Sequence, residues 1–302
     1  MRLVVLAGWL FVAATGCERL LGADFDQARP RVLGPCDTTL PFNAPERLPI
    51  NDLLAEAWAP RLTGDQLSLY FTSLGDDFVA TRAGLADDFA NPIPLAAINT
   101  PAAEMAASVT ADGLTLFLET SRAGDVKIFS TKRNSDNEEF PAPTPVTEIN
   151  SSAPGVLDIQ PYVTPDGGAV YFGSTRGGAS DYALYRAQRE PGSDRFAPPV
   201  ALASLHSLTV DVWPVVSPDE LTIYFASTRN LADSLGSYDV VMATRASKDE
   251  DFGTVKNVRE VNTAAGEYPS WISPDGCTLY LTRGPPNAMY VATRGGPNTP
   301  QD

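Results

Sequence analysis

Past its first forty residues the chain alternates short apolar runs with turn-forming residues, and the runs recur. Leu62-Thr63-Gly64-Asp65-Gln66 leads into Leu67-Ser68-Leu69-Tyr70-Phe71. The arrangement returns as Val109-Thr110-Ala111-Asp112-Gly113 with Leu114-Thr115-Leu116-Phe117-Leu118, and as Val163-Thr164-Pro165-Asp166-Gly167 with Val170-Tyr171-Phe172. It returns again as Val216-Ser217-Pro218-Asp219-Glu220 with Ile223-Tyr224-Phe225, and as Ile272-Ser273-Pro274-Asp275-Gly276 with Leu279-Tyr280-Leu281. The aligned aspartates lie 47, 54, 53 and 56 positions apart. Pro-Asp-Gly is tight-turn chemistry, and its flanks are β-branched or aromatic. Each copy therefore predicts a strand, a turn and a second strand.

Two more elements follow each copy. A segment of small residues and arginine comes first, as in Ser121-Arg122-Ala123-Gly124, Thr175-Arg176-Gly177-Gly178 and Thr228-Arg229. A third strand then ends in Ala80-Thr81-Arg82, Ala243-Thr244-Arg245 or Ala292-Thr293-Arg294, and a polar loop leads to a fourth short strand. The fourth strands fall within Phe89 to Asn99, Phe140 to Asn150, Phe196 to His206 and Phe252 to Asn262. Four strands in a repeat of about fifty residues are the signature of a propeller blade. The fifth instance of the fourth-strand pattern, Phe42 to Asn51, stands at the other end of the chain. The pattern predicts an all-β, five-bladed β-propeller closed by an N-terminal strand that completes the last blade.

The Ser/Thr-Pro-Asp-Gly turn, the Leu-Tyr-Phe strand, the arginine segment and the Ala-Thr-Arg ending resemble the TolB-type propeller repeat. The resemblance runs from about Phe42 to Arg294. The first copy departs with Gly64 at the proline position and Gly75 at the arginine position, and in the last copy Arg283 comes two residues early. The resemblance implies a bacterial envelope lipoprotein or periplasmic protein that binds partners.

The start of the chain supports export. Arg2 precedes an apolar run, Leu3 to Ala14, too short to span a membrane as a helix. It ends Ala14-Thr15-Gly16-Cys17, similar to the lipobox of bacterial lipoproteins, with Ala14 where Leu is usual. That similarity implies a signal peptide over 1–16, lipidation at Cys17, a linker over 17–40 and the propeller over 41–302. The plain alternative is an ordinary signal peptide or a buried N-terminal helix. Glu18, by enterobacterial sorting rules, favours the outer membrane, facing the periplasm or the cell surface. No later apolar run reaches membrane length, so the lipid is the expected membrane anchor. The net charge of −15 becomes −16 without the first sixteen residues, which argues against a nucleic-acid partner. Cys36 and Cys277 remain after Cys17, in a compartment where disulfides persist. The closure puts both in one blade, so a bridge is expected, with two separate thiols as the alternative.

Chemistry is expected where the first strands begin. An acid stands there in every blade: Glu56, Glu104, Asp158, Asp211 and Glu267. The last four lie eight positions before the turn aspartate, Glu56 nine. First strands line a propeller's channel, so these acids with Arg122, Arg176, Arg229 and Arg283 define a charged ring at its mouth. The ring reads either as a site for a cation or polar ligand, or as acid–arginine pairs that fix neighbouring blades. The turn aspartates read as turn formers. His206, the single histidine, takes the place of Asn51, Asn99, Asn150 and Asn262, and suits a loop variant more than a catalyst. No Ser-His-Asp spacing, zinc-ligand cluster or phosphate-binding glycine loop is present, and no cofactor or metal is expected. A non-enzymatic binding or scaffolding protein, with an envelope protein or polar ligand as partner, is the leading reading. A glycan-acting hydrolase using central carboxylates is the second, weakened because the acids repeat evenly and the turns lack the sialidase aspartate-box spacing.

Overall fold

The computed structural model describes residues 36–178 and 182–295. The targeting segment and Cys17 lie outside the described residues. Strand β1 (Glu46–Arg47) comes first in the chain. Blade 1 then holds β2 (Trp58–Leu62), β3 (Ser68–Ser73), β4 (Asp76–Thr81) and β5 (Ala90–Pro94). Blade 2 holds β6 (Glu104–Val109), β7 (Thr115–Thr120), β8 (Lys127–Lys132) and β9 (Thr144–Pro145). Blade 3 holds β10 (Asp158–Val163), β11 (Ala169–Ser174), β12 (Ala183–Gln188) and β13 (Val200–Ala201). Blade 4 holds β14 (Asp211–Val216), β15 (Thr222–Ser227), β16 (Asp239–Thr244) and β17 (Lys256–Asn257). Blade 5 holds β18 (Gly266–Ile272), β19 (Thr278–Gly284) and β20 (Ala288–Thr293), and β1 pairs with β20 as its fourth strand. The result is a five-bladed β-propeller of four-stranded antiparallel sheets, closed by the N-terminal strand.

The repeated residues have repeated jobs. In each turn the Thr or Ser hydroxyl donates to the aspartate two positions on: Thr63 to Asp65, Thr110 to Asp112, Thr164 to Asp166, Ser217 to Asp219 and Ser273 to Asp275. The next residue adopts positive φ, which three copies meet with Gly113, Gly167 and Gly276, and two with Gln66 and Glu220. The arginine of each Ala-Thr-Arg ending, or its equivalent, lies over the phenylalanine that opens its blade's fourth strand. Arg82 is 4.5 Å from the Phe89 ring centre, Arg133 4.4 Å from Phe140, Arg189 4.7 Å from Phe196 and Arg245 4.5 Å from Phe252. The fifth pair, Arg294 over Phe42 at 3.9 Å, joins the two ends of the chain. These stacked cations desolvate the ring faces and hold each outer strand down.

The fourth strands are shorter than the sequence pattern predicts, two residues in four blades. Pro45, Pro145 and Pro199 remove donors that a longer ladder needs. A side chain continues the pairing instead. Asn51 accepts from the Met289 N–H and donates to the Met289 carbonyl, and Asn99, Asn150 and Asn262 do the same with Asp77, Ile128 and Val240.

Cys36 and Cys277 form a disulfide, with Cα atoms 5.7 Å apart and a sequence separation of 241. It ties the segment ahead of β1 to the hairpin of blade 5. The chain entropy removed by closing so long a loop is worth about 5 kcal/mol, less any strain. Cys36→Ser, or reduction of the protein, should therefore lower stability by an amount of that order. Urea unfolding with and without reductant measures it, and the reductant should have no effect on the variant.

Candidate functional site at the channel mouth

The first strands begin on one face of the ring, and the second strands end there. We call it the upper face. The four acids Glu104, Asp158, Asp211 and Glu267 open β6, β10, β14 and β18, or follow that opening by one residue, and all are wholly buried. Each meets an arginine of its own blade. The Arg122–Glu104 contact is 3.1 Å, Arg176–Asp158 2.5 Å, Arg229–Asp211 2.8 Å and Arg283–Glu267 2.8 Å. Each acid also accepts from the residue after the preceding blade's closing Asn or His: Thr100, Ser151, Ser207 and Thr263. The arginines donate back to the carbonyls of Ile98, Ile149, Leu205 and Val261 in that preceding blade. The ion pairs are thus interblade staples inside the wall.

Two departures in the repeat take physical form here. Arg283 comes early because it sits across the ladder from Glu267, the seat held by Thr120, Ser174 and Ser227 opposite the other three acids. In blade 1 the position eight before Asp65 is Ala57, which is buried; its N–H donates to the Asn287 carbonyl. Glu56 is one residue off that position, and Ser73 donates to its carbonyl oxygen. The described acid–arginine staples therefore number four, in blades 2 to 5, and Glu56 stands apart from them.

The cavity on the upper face is lined by other residues. Trp58, Ile159, Gln160, Tyr182, Val212, Trp213, Tyr238, Tyr268, Thr282 and Asn287 surround a space of about 430 Å³, together with Val210. None of the nine acids and arginines is among them. Trp58, Ile159, Val212 and Tyr268 each follow the acid position by one residue, so strand alternation turns them the opposite way from the acids. The ring centres of Trp58 and Trp213 are 5.7 Å apart at 78°, a contact between blades 1 and 4, which are not neighbours. Trp213 meets Tyr268 at 6.1 Å and Tyr268 meets Tyr238 at 5.2 Å. Burial raises the Tyr238 and Tyr268 hydroxyls above the ordinary tyrosine range; the Tyr182 hydroxyl adds to the first shift and Tyr238 to the second.

The cup is held by bulges. The register slips in every first strand, and Ala59, Ala106, Gln160 and Trp213 take positive φ there. Their N–H groups turn to the preceding blade or across to it. Ala59 donates to Thr282, Ala106 to Thr72, Gln160 to Glu119 and Trp213 to the Gln160 amide oxygen. Gly173 occupies the seat of Thr72, Glu119 and Thr282 in blade 3, and its missing side chain leaves the room that Gln160 fills.

Deeper in the ring lies a charged group that appears in no other copy. Arg61 is 1% exposed and lies over the Tyr162 ring at 4.9 Å, again between non-neighbouring blades. Its guanidinium nitrogens have no hydrogen-bond partner among the described residues, and burial brings it down to about 10. Burial pushes Asp77 up to about 7, against a hydrogen bond from Thr72. Burial also pushes Glu119 up to about 7, against the Gln160 N–H, with Asp77 reinforcing the rise and Arg61 opposing it.

No protein-family model matches the sequence, and no curated protein matches it. Solved structures match in fold. A thermostable family-43 glycoside hydrolase is 14% identical, with a TM-score of 0.52, over 82% of this chain and 95% of that one. TolB from Acinetobacter baumannii is 19% identical, with a TM-score of 0.48, over 80% of this chain; the match spans 55% of that chain. A gluconolactonase from Xanthomonas campestris is 14% identical, with a TM-score of 0.48, over 88% and 97%. The protein is thus a β-propeller, with an aromatic cup at the mouth of its channel.

Two outcomes are expected. Asp211→Ala leaves Arg229 without its buried partner and should cost about 3–5 kcal/mol in urea unfolding, whereas Glu56→Ala should stay within about 0.5 kcal/mol. Equal effects would show that the pairing is not what holds the blades. The second outcome concerns pH. Asp77 and Glu119 keep their protons to about pH 7 in the fold but lose them near pH 4 when unfolded. The folded state binds more protons in that window, so stability should fall as pH rises from about 4 to about 7 and level off above. Melting temperatures across that range should show the fall, and Asp77→Asn should reduce it by about half, the rest belonging to Glu119.

Proposed function

We propose that this protein is a non-enzymatic binding or scaffolding lipoprotein of the bacterial cell envelope, anchored through Cys17, that takes its ligand on the upper face of the propeller. The carrying observation is the aromatic cup at the channel mouth, whose described lining holds no carboxylate, histidine or thiol. Large aromatic side chains in a desolvated pocket are the residues that dominate binding energy. Exposed apolar side chains share the same face: Leu53 before β2, Leu74 in the β3–β4 turn, Leu208 before β14 and Leu235 before β16. Such surface suits contact with a macromolecular partner. The hydrolase alternative needs two open carboxylates flanking a scissile bond. Glu104, Asp158, Asp211 and Glu267 are closed off by their arginines, and the cup offers no substitute.

Affinity capture from envelope extracts with the wild-type chain and with Trp58→Ala tests the reading. Capture of a partner by the first and its loss in the second is expected, alongside no turnover on a broad glycan panel. Turnover on any glycan would sink the non-enzymatic reading. Mass spectrometry should find an acylated Cys17 at the mature N-terminus, and Cys17→Ser should move the protein out of the membrane fraction.

A further inference from the structure

We infer that the cup takes a neutral carbohydrate, an inference that rests on the binding role proposed above for this site. The described lining combines five aromatic rings with uncharged polar groups, the amides of Gln160 and Asn287 and the hydroxyl of Thr282. Three of the rings are tyrosines, so hydroxyls stand at their edges. No charged side chain lines it.

That chemistry discriminates between ligand classes. An anion needs a free cation, but Arg176, Arg229 and Arg283 are turned into the wall by their acids and by carbonyls of the preceding blades. A cation gains from ring faces, but of the acids next to cup residues, Asp158, Asp211 and Glu267 are already neutralised by those arginines, and the buried Asp239 is taken up by the N–H groups of Leu235 and Gly236 and the Asn257 amide. A wholly apolar ligand would strip water from two amides and three phenols and return no hydrogen bonds, at about 1–3 kcal/mol for each group left unsatisfied. A sugar ring has an apolar C–H face to lie on an indole or phenol and hydroxyls at its rim to meet amides and phenols. The space of about 430 Å³ falls in the range of small-ligand sites.

The backbone adds preorganisation. Trp213 is fixed by its bulged backbone, whose N–H is held by the Gln160 side-chain oxygen. That bond uses the oxygen of Gln160 and orients its amide NH2, a donor, within the cup lining. Rigid aromatic walls with oriented donors reduce the ordering cost of binding a polar ring.

The test is a glycan array of neutral, sialylated and sulfated glycans, followed by tryptophan-fluorescence titration with the best neutral oligosaccharide and with choline chloride. Binding confined to neutral glycans is expected, with a saturable fluorescence change. Trp58→Ala should weaken it at least tenfold and Asn287→Ala severalfold, with each variant still folded by circular dichroism and a cooperative melt, since both side chains are only half-buried. Binding of acidic glycans equal to neutral ones, or choline competing for the cup, overturns the inference. So does the absence of any bound glycan from the folded protein. If Trp58-dependent capture of an envelope partner persists in that last case, the binding role stands and only the ligand class falls. A neutral glycan that is bound and then cleaved leaves the ligand class in place and overturns the non-enzymatic role.

Discussion

The pairing of Glu46–Arg47 with Val291 and Tyr290 is two residues long, yet the ring exists only if that junction holds. An open propeller would expose the edge of blade 5 and pull blade 1 away from β19, where Thr282 receives the bulged Ala59 N–H. The short pairing is accordingly reinforced from several sides. Asn51 makes two hydrogen bonds to Met289, Asn43 bonds the Thr293 carbonyl, Arg294 covers Phe42 and bonds the Thr38 carbonyl, and the disulfide sits outside all of them. The cup depends on this junction, because Trp58 comes from blade 1 and Tyr268, Thr282 and Asn287 from blade 5.

The fold was legible because it is written five times. One Thr-Pro-Asp-Gly turn is a weak signal, but five in register with their fourth strands fix blade number and closure together. The fourth-strand boundaries were less legible, since the prolines that shorten the ladder and the asparagines that extend it act through tertiary contacts. That the first-strand entries and the arginine segments share one face was legible as well, from strand direction alone, and the aromatic cup lies on that face. The residues that line the cup were not. Searching for a residue type present in every blade finds what holds the blades to each other, and the buried acids answer to that description.

What distinguishes this chain lies where the copies differ. Ala57 replaces the acid in blade 1, and Trp58 beside it reaches Trp213. The seat filled by threonine in blades 1 and 5 (Thr72, Thr282) differs in the other three (Glu119, Gly173, Ala226), so the bulges are not all supported alike. Arg61 aligns with Ser108, Tyr162, Val215 and Trp271, each opposite the aromatic third residue of a second strand. These irregular positions were visible in the aligned repeats, but only a structure shows which of them converge on the channel axis.

The placement of β1 also orders events in time. Blades 1 to 4 are each built from contiguous chain and can form from local contacts. Blade 5 joins one strand from the beginning of the propeller to three from its end, with Glu46 meeting Val291. Its completion is the strand pairing of longest sequence separation among the described residues, and non-local pairings of this kind form late. A chain emerging N-terminus first would therefore hold its first strand unpaired until nearly all the rest had arrived. A premature stop after blade 4 but before β20 would leave an unclosed stack with two unpaired edges.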